Sequence, residues 1–314
     1  MLKATLARSP FWELSAAVRA AGCAVLTYHR VGTNPHGFKH VPEDTFRRQM
    51  LWLSRHCRPV APHDFREACV DGNRRRPPVL ITFDDGYRDY RRVAYPILRE
   101  LRIPAINFVA TQFVEDGEAR FWWDQVDLAV WASTRPAIEL FWRDGERVTL
   151  DHAGRERVRM DVRRYVWSRP DSEKPATLAR LLDALDVRPA AIAIERQVMT
   201  WEEIRDVGEL TTIGGHTHTH PLMSRVDGDR LREEVAACRE RIARHIGAPA
   251  TFAYPAGATS DAAKRAVRDG GFDLAFCTAP GLNDRRTDWL AVRRFNAPRD
   301  VDRLAYLLSG LAYH

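Results

Sequence analysis

Short apolar runs recur along this chain, and most are followed by a stretch with helical periodicity. The runs fall at 24–28, 79–83, 105–110, 211–214, 251–254, 274–277 and 291–295. Each is four to six residues long and strand-like, and 24–28, 79–83 and 105–110 are nearly continuous apolar runs, as expected of strands buried on both faces. Between them, 43–56 places Phe46, Met50 and Leu53 on one helical face. Residues 90–101 read as a helix ahead of Ile103-Pro104, and 230–246 as a long one with Leu231, Val235, Cys238 and Ile242 in register. Strand–helix alternation of this kind predicts parallel strands covered by helices. The 314 residues, 45% of them hydrophobic, suffice for one large domain with a sizeable core.

Residues 117–200 break the rhythm. Phe121-Trp122-Trp123-Asp124 opens the stretch. Arg143-Asp144-Gly145-Glu146 predicts a hairpin turn between strands at 139–142 and 147–150, and helical pieces follow near 155–167 and 176–185. This part reads as an α+β insertion, about 117–200, that edges or covers a site. Its aromatic residues either stack on sugar rings or anchor the insertion, and for Trp122 both readings stay open.

Chemistry-bearing residues sit where these runs end. Thr82-Phe83-Asp84-Asp85-Gly86-Tyr87 places two carboxylates after a strand. His216-Thr217-His218-Thr219-His220 places two imidazoles four apart after another. On an ideal strand adjacent carboxylates face opposite sides, but Gly86 lets the chain turn so that both reach one place. A dication stabilises both in the ionised form. Histidines four apart share a face if the segment makes a single helical turn, and Pro221 makes a short turn or a loop the expectation rather than a long helix, with His218 pointing away. Three of these four side chains can hold one divalent metal, and a carboxylate beside it is then free to take a proton. His29, Asp84-Asp85, His216 and Tyr254 all end predicted strands, which in an α/β barrel converge on one rim.

These residues resemble the NodB-homology polysaccharide deacetylases, carbohydrate esterases that remove acetyl groups from glycans. The resemblance runs from about Val25 onward with a gap near 117–195. TFDDGY matches the first motif, HTHTHP the second, and Phe252-Ala253-Tyr254-Pro255-Ala256-Gly257 the third. It implies a distorted, incomplete (β/α) barrel of about seven or eight strands, read here as one domain over 1–314 containing the insertion. It implies Asp84 as catalytic base, Asp85, His216 and His220 as metal ligands, and the backbone N–H near Ala256 as an oxyanion donor. Tyr254, Trp201 and Trp122 join Ala256 as candidate substrate contacts. Zinc suits two histidines and an aspartate, with nickel, cobalt and iron as alternatives.

The sequence departs from the family in two places. Ala253 stands where many members carry an arginine, and Arg294 is a candidate to pair with Asp84 instead. The C-terminal Leu-x-His that often supplies a general acid is absent, since the chain ends Leu311-Ala312-Tyr313-His314. His29, ending the strand-like run Val25–Tyr28, is the candidate replacement; in this the chain resembles the poly-N-acetylglucosamine deacetylase branch. A satisfied histidine at a strand end is the competing reading of His29. The function expected is metal-dependent removal of N-acetyl groups from an amino-sugar glycan or glycan precursor. An O-acetyl esterase and a catalytically weakened glycan-binding module are the alternatives.

Partners follow from charge. The net charge of +6 comes from scattered arginines. No basic face with interleaved aromatics is evident, so nucleic acid is not an expected partner. A carbohydrate is, with anionic and lipid-linked glycans included. Arg74-Arg75-Arg76 reads as a solvated loop. Five cysteines without a CxxC pair suit free, buried thiols in a reducing compartment. Residues 2–20, interrupted by Arg8, Glu13 and Arg19, do not read as a signal peptide. They can form an amphipathic helix with Leu2, Leu6, Trp12, Leu14 and Val18, packed on the body or resting on a membrane surface. The expected location is cytoplasmic, peripheral to the inner face of the membrane at most; the oligomeric state stays open.

Overall fold

The computed structural model describes residues 12, 21–32, 40–71, 75–192 and 196–309. The helix expected over 2–20, apart from Trp12, and the C-terminal histidine lie outside the described residues, as does Arg74. Two compact units are present. One takes in the described residues before 116 and from Val198 onward, and the other spans Asp116–Gln197.

Among the described residues twelve strands occur in chain order: β1 Ala24–Tyr28, β2 Arg30–Gly32, β3 His40–Pro42, β4 Arg58–Pro59, β5 Pro78–Phe83, β6 Ala105–Val109, β7 Ala137–Leu140, β8 Glu146–Thr149, β9 Thr211–Gly215, β10 Thr251–Ala253, β11 Leu274–Phe276 and β12 Phe295–Asn296. The first unit holds an eight-stranded sheet ordered β11-β10-β9-β6-β5-β1-β12, with β4 also on β5. Every pair in it is parallel. An isolated bridge joins Phe276 of the end strand β11 to Val292, just ahead of the other end strand β12, so the sheet curls into a distorted, incomplete (β/α) barrel.

Alternation along the strands sorts the side chains. Val25, Leu80, Ile106, Phe108, Ala253, Phe276 and Val292 form one apolar cluster, the barrel lumen. Phe252, Tyr254 and Ala275 point the other way, against Leu231, Val235 and Val267 of the helices Gly228–His245 and Asp261–Asp269. The helix Glu43–His56 matches its predicted bounds. Glu43 and Asp44 open it and Arg55 and His56 close it, each sign suiting its end of the helix dipole. Arg76 also serves that helix, donating to Ser54 O and Cys57 O beyond its last turn.

Two elements of this first unit differ from expectation. The helix predicted over 90–101 is a π turn, Tyr90–Ala94, followed by an α-helix, Tyr95–Glu100. Pro96 brings no N–H to the regular ladder, and the turn widens just ahead of it. The last strand, predicted at 291–295, is β12, because Val292 pairs toward β11 while Phe295 pairs with Leu26 of β1. The chain crosses between neighbours at Arg293 and Arg294.

The second unit has its own core. Helices Trp122–Ala132, His152–Ser168 and Lys174–Leu185 pack with the antiparallel hairpin β7–β8. Asp144 and Gly145 both take positive φ in its turn. The expected strand at 139–142 ends earlier, at Leu140. Trp142 leaves it to donate its indole N–H to Asp161 at 3.0 Å, beside an ion pair from Arg143. All five cysteines are free and buried. Among the described residues no helix is long and apolar enough to cross a membrane.

Candidate active site

Register builds the site. Tyr28 pairs with Phe83, Val109 with Gly215, and Gly215 with Phe252. The next residues along, His29, Asp84 and His216, therefore lie on one rim. Beyond Phe83 the pleat stops. Asp85 and Gly86 both adopt left-handed φ, 75° and 69°, and Met199 N donates to Gly86 O at 2.9 Å. Two consecutive left-handed residues fold the second carboxylate back beside the first.

Asp85, His216 and His220 converge, their ligand atoms all within 4.8 Å of one another. The His216 and His220 Nε2 atoms lie 3.5 and 3.4 Å from Asp85 Oδ1. His216 Nδ1 donates to Ala253 O at 2.7 Å. That bond orients the ring and leaves Nε2, on the Asp85 side, as the nitrogen available to a metal. Three potential ligand atoms thus converge on one point, almost wholly buried. Tetrahedral ligands about 2.0–2.1 Å from one ion lie roughly 3.3 Å apart, close to the spacings seen. These residues fit a divalent metal. The histidines meet through a loop rather than a helical turn, with Thr217 and His220 at positive φ. His218 leaves the cluster and pairs its Nδ1 with Thr111 Oγ1 at 3.0 Å.

Asp84 is buried beside this triad, and the pairing with Arg294 is present. Arg294 Nη1 donates to Oδ1 at 2.7 Å and Nη2 to Oδ2 at 2.9 Å. Arg294 is itself buried, with Nε on Cys277 O at 2.9 Å and its guanidinium 5.7 and 5.9 Å from the rings of Phe108 and Phe276. It thus places a buried cation at the end of the apolar lumen. Burial pushes the Asp84 carboxyl up. The charges of Arg294, His216 and His29 and the Arg294 hydrogen bonds outweigh that, holding it at about 2. Asp85 is likewise pushed up by burial and pulled well below its ordinary value by His216 and His220. Burial lowers His220 despite Asp85. His29 Nε2 is 3.9 Å from Asp84 Oδ2, on the buried rim.

The remaining predicted residues scatter. Ala256 takes φ 54° in the turn Pro255–Gly257, braced by Thr278 Oγ1 on its carbonyl at 3.2 Å. Its N–H has no acceptor among the described residues. Tyr254 points outward into the helix layer, its hydroxyl on Leu290 O at 2.9 Å. Trp201 stacks on His245, ring centroids 4.6 Å apart. That histidine ends the helix whose Glu234 supports the histidine loop, roughly 16 Å away at 1.5 Å per residue. Trp122 packs against the core of the second unit, under Lys174 Nζ at 5.5 Å. Glu234 was not among the sequence candidates. Its signal is a lone carboxylate on the inward stripe of Leu231, Val235 and Cys238.

The sequence profile of the family described as Polysaccharide deacetylase matches residues 71–132 and 169–275, more than half of the chain. No curated protein sequence matches. Among solved structures, the fold is similar to the Streptococcus pyogenes deacetylase PplD in complex with acetate. That match has a TM-score of 0.61 and 16% identity, and covers 92% of this chain and 98% of the other. It is similar to IcaB from Ammonifex degensii, with a TM-score of 0.60, 21% identity, and 93% and 98% covered. The deacetylase domain of BpsB from Bordetella bronchiseptica gives a TM-score of 0.52, 16% identity, and 87% and 95% covered. Likeness at such identities speaks for the barrel alone, whereas the profile match speaks for the sequence, motifs included. With TFDDGY and HTHTHP on one rim of that barrel, the chain belongs to the NodB-homology polysaccharide deacetylases, a family of carbohydrate hydrolases.

Proposed function

We propose that this protein is a metal-dependent deacetylase that hydrolyses the acetamide of an amino-sugar unit in a glycan or glycan precursor. The convergence of Asp85, His216 and His220 beside an ionised Asp84 carries the reading. A zinc ion there, or nickel, cobalt or iron, supplies Lewis acidity toward the acetyl carbonyl and toward water.

The chain's own groups do the rest. Asp84 accepts the proton of the attacking water. Arg294 keeps it ionised at neutral pH and fixes its plane, and each carboxylate oxygen retains a second lone pair for the incoming proton. The Ala256 N–H donates to the oxyanion that develops as water adds to the carbonyl. His29 gives a proton to the departing nitrogen as the C–N bond breaks, and its placement against Asp84 favours an amide over an ester, whose leaving oxygen needs less help. Arg294 also weighs against a non-catalytic glycan-binding module, since it makes good the loss at Ala253.

Acetate release from N-acetylated chito-oligosaccharides tests the reading. Chelator-treated protein should release none, and zinc should restore release. Equal release with and without metal would sink it. His29→Ala should slow the amide far more than an activated acetyl ester, because a good leaving group needs little protonation. Equal losses on the two substrates would return His29 to a packing role.

A further inference from the structure

The segment joining the two histidine ligands belongs to no helix or strand, yet it must hold two imidazoles at one point. Part of its bracing is internal. The Thr217 hydroxyl donates to His216 O and accepts the His220 N–H at 3.0 Å. The rest comes from Glu234 on the helix Gly228–His245. Its Oε2 accepts the His218 N–H at 2.9 Å and the Thr219 N–H at 2.7 Å, and its Oε1 accepts the Thr219 hydroxyl.

Glu234 is only 5% exposed, among Leu231, Val235 and Cys238. Arg230 Nη2 stands 3.7 Å from it. Burying a carboxylate is costly unless its lone pairs are used. Here three donors use them, all from the loop between the ligands. Its hydrogen bonds go to residues 218 and 219, between the two ligands. Two backbone N–H groups fixed on one oxygen set the path of residues 218 and 219, and so the place from which His220 returns to the cluster.

We infer that Glu234 is the positioning residue of the metal loop, holding His216 and His220 preorganised for one ion before it arrives. The inference rests on the metal-site reading above. Every residue of the loop then has a part in the site. His216 and His220 are the ligands, Thr217 braces the loop from within, His218 contacts Thr111, and Thr219 is the handle for Glu234.

Zinc affinity, measured by competition with a chromophoric chelator, tests this without any assay of turnover. Glu234→Ala should bind zinc about 10- to 100-fold more weakly than the wild type, the usual effect of losing a group that orients a ligand. Glu234→Gln should recover most of the affinity, because its amide oxygen can still accept both N–H groups. Unchanged zinc affinity in Glu234→Ala overturns the inference, and so does a glutamine variant as weak as alanine. Should the alanine chain not fold, Thr219→Val removes only the hydroxyl donor. It should weaken zinc binding roughly fivefold, as expected for one hydrogen bond, and wild-type affinity there would count against Glu234. A wild-type chain that takes up no zinc overturns the metal reading and this inference together.

Discussion

Asp84→Asn is expected to lower acetate release by on the order of a hundredfold or more while leaving zinc uptake intact. The loss follows from removing the proton acceptor. Retention follows because Asp85, His216 and His220 supply the ligands, and none depends on the Asp84 carboxyl for its place. The substitution has a second effect. It turns an amide NH2 toward a guanidinium that is wholly buried, so Arg294 loses half of its paired acceptor. A lower unfolding temperature should accompany the lost turnover. Zinc titration and thermal unfolding of the same sample separate the two effects. Near-normal turnover by this variant would place the base elsewhere.

Arg294→Met should have the largest effect on stability, about 3–5 kcal/mol, because it strands a buried carboxylate. It should also change the pH dependence, with a definite sign. The wild-type Asp84 carboxyl is lowered from 3.8 to about 2. A lowered acid stabilises the fold above its unfolded value and loses that contribution as pH falls through the folded one. The wild type should therefore lose roughly 2 kcal/mol from this group between about pH 4 and pH 2. In Arg294→Met, burial is left without its main opponent and the carboxyl rises. The acid limb of the pH–rate profile should then move toward neutrality, since an un-ionised Asp84 cannot accept a proton. Urea unfolding at pH 7 and pH 3, with rates across the same range, checks both. An acid limb that stays where the wild type has it would show that Arg294 does not govern Asp84.

The strands were readable because buried parallel strands are short and apolar on both faces, and β1, β5 and β6 match their predicted spans to within a residue. The rim was readable because each motif follows such a run. Asp85 was harder. Gly86 announced a turn, but nothing in the sequence said that Asp85 itself would take the left-handed conformation. Arg294 was legible only as a candidate, since no periodicity ties it to a residue 210 positions earlier; the pairing depends on how β12 crosses to β1. The aromatic candidates misled for another reason. Tyr254 and Trp201 follow a strand and open a helix, but a ring's direction depends on alternation and on neighbours such as His245. Glu234 showed only as a charge in an apolar stripe.

Arg294, the partner of Asp84, lies on the segment of the barrel that comes last in the chain, between the bridge to β11 and the pairing with β1. During synthesis Asp84, Asp85 and the two histidines all leave the ribosome before residue 294 does. A growing chain therefore carries Asp84 before it carries the counterion. If the proposed function holds, metal uptake and turnover would be separable, because only the second needs Arg294 in place.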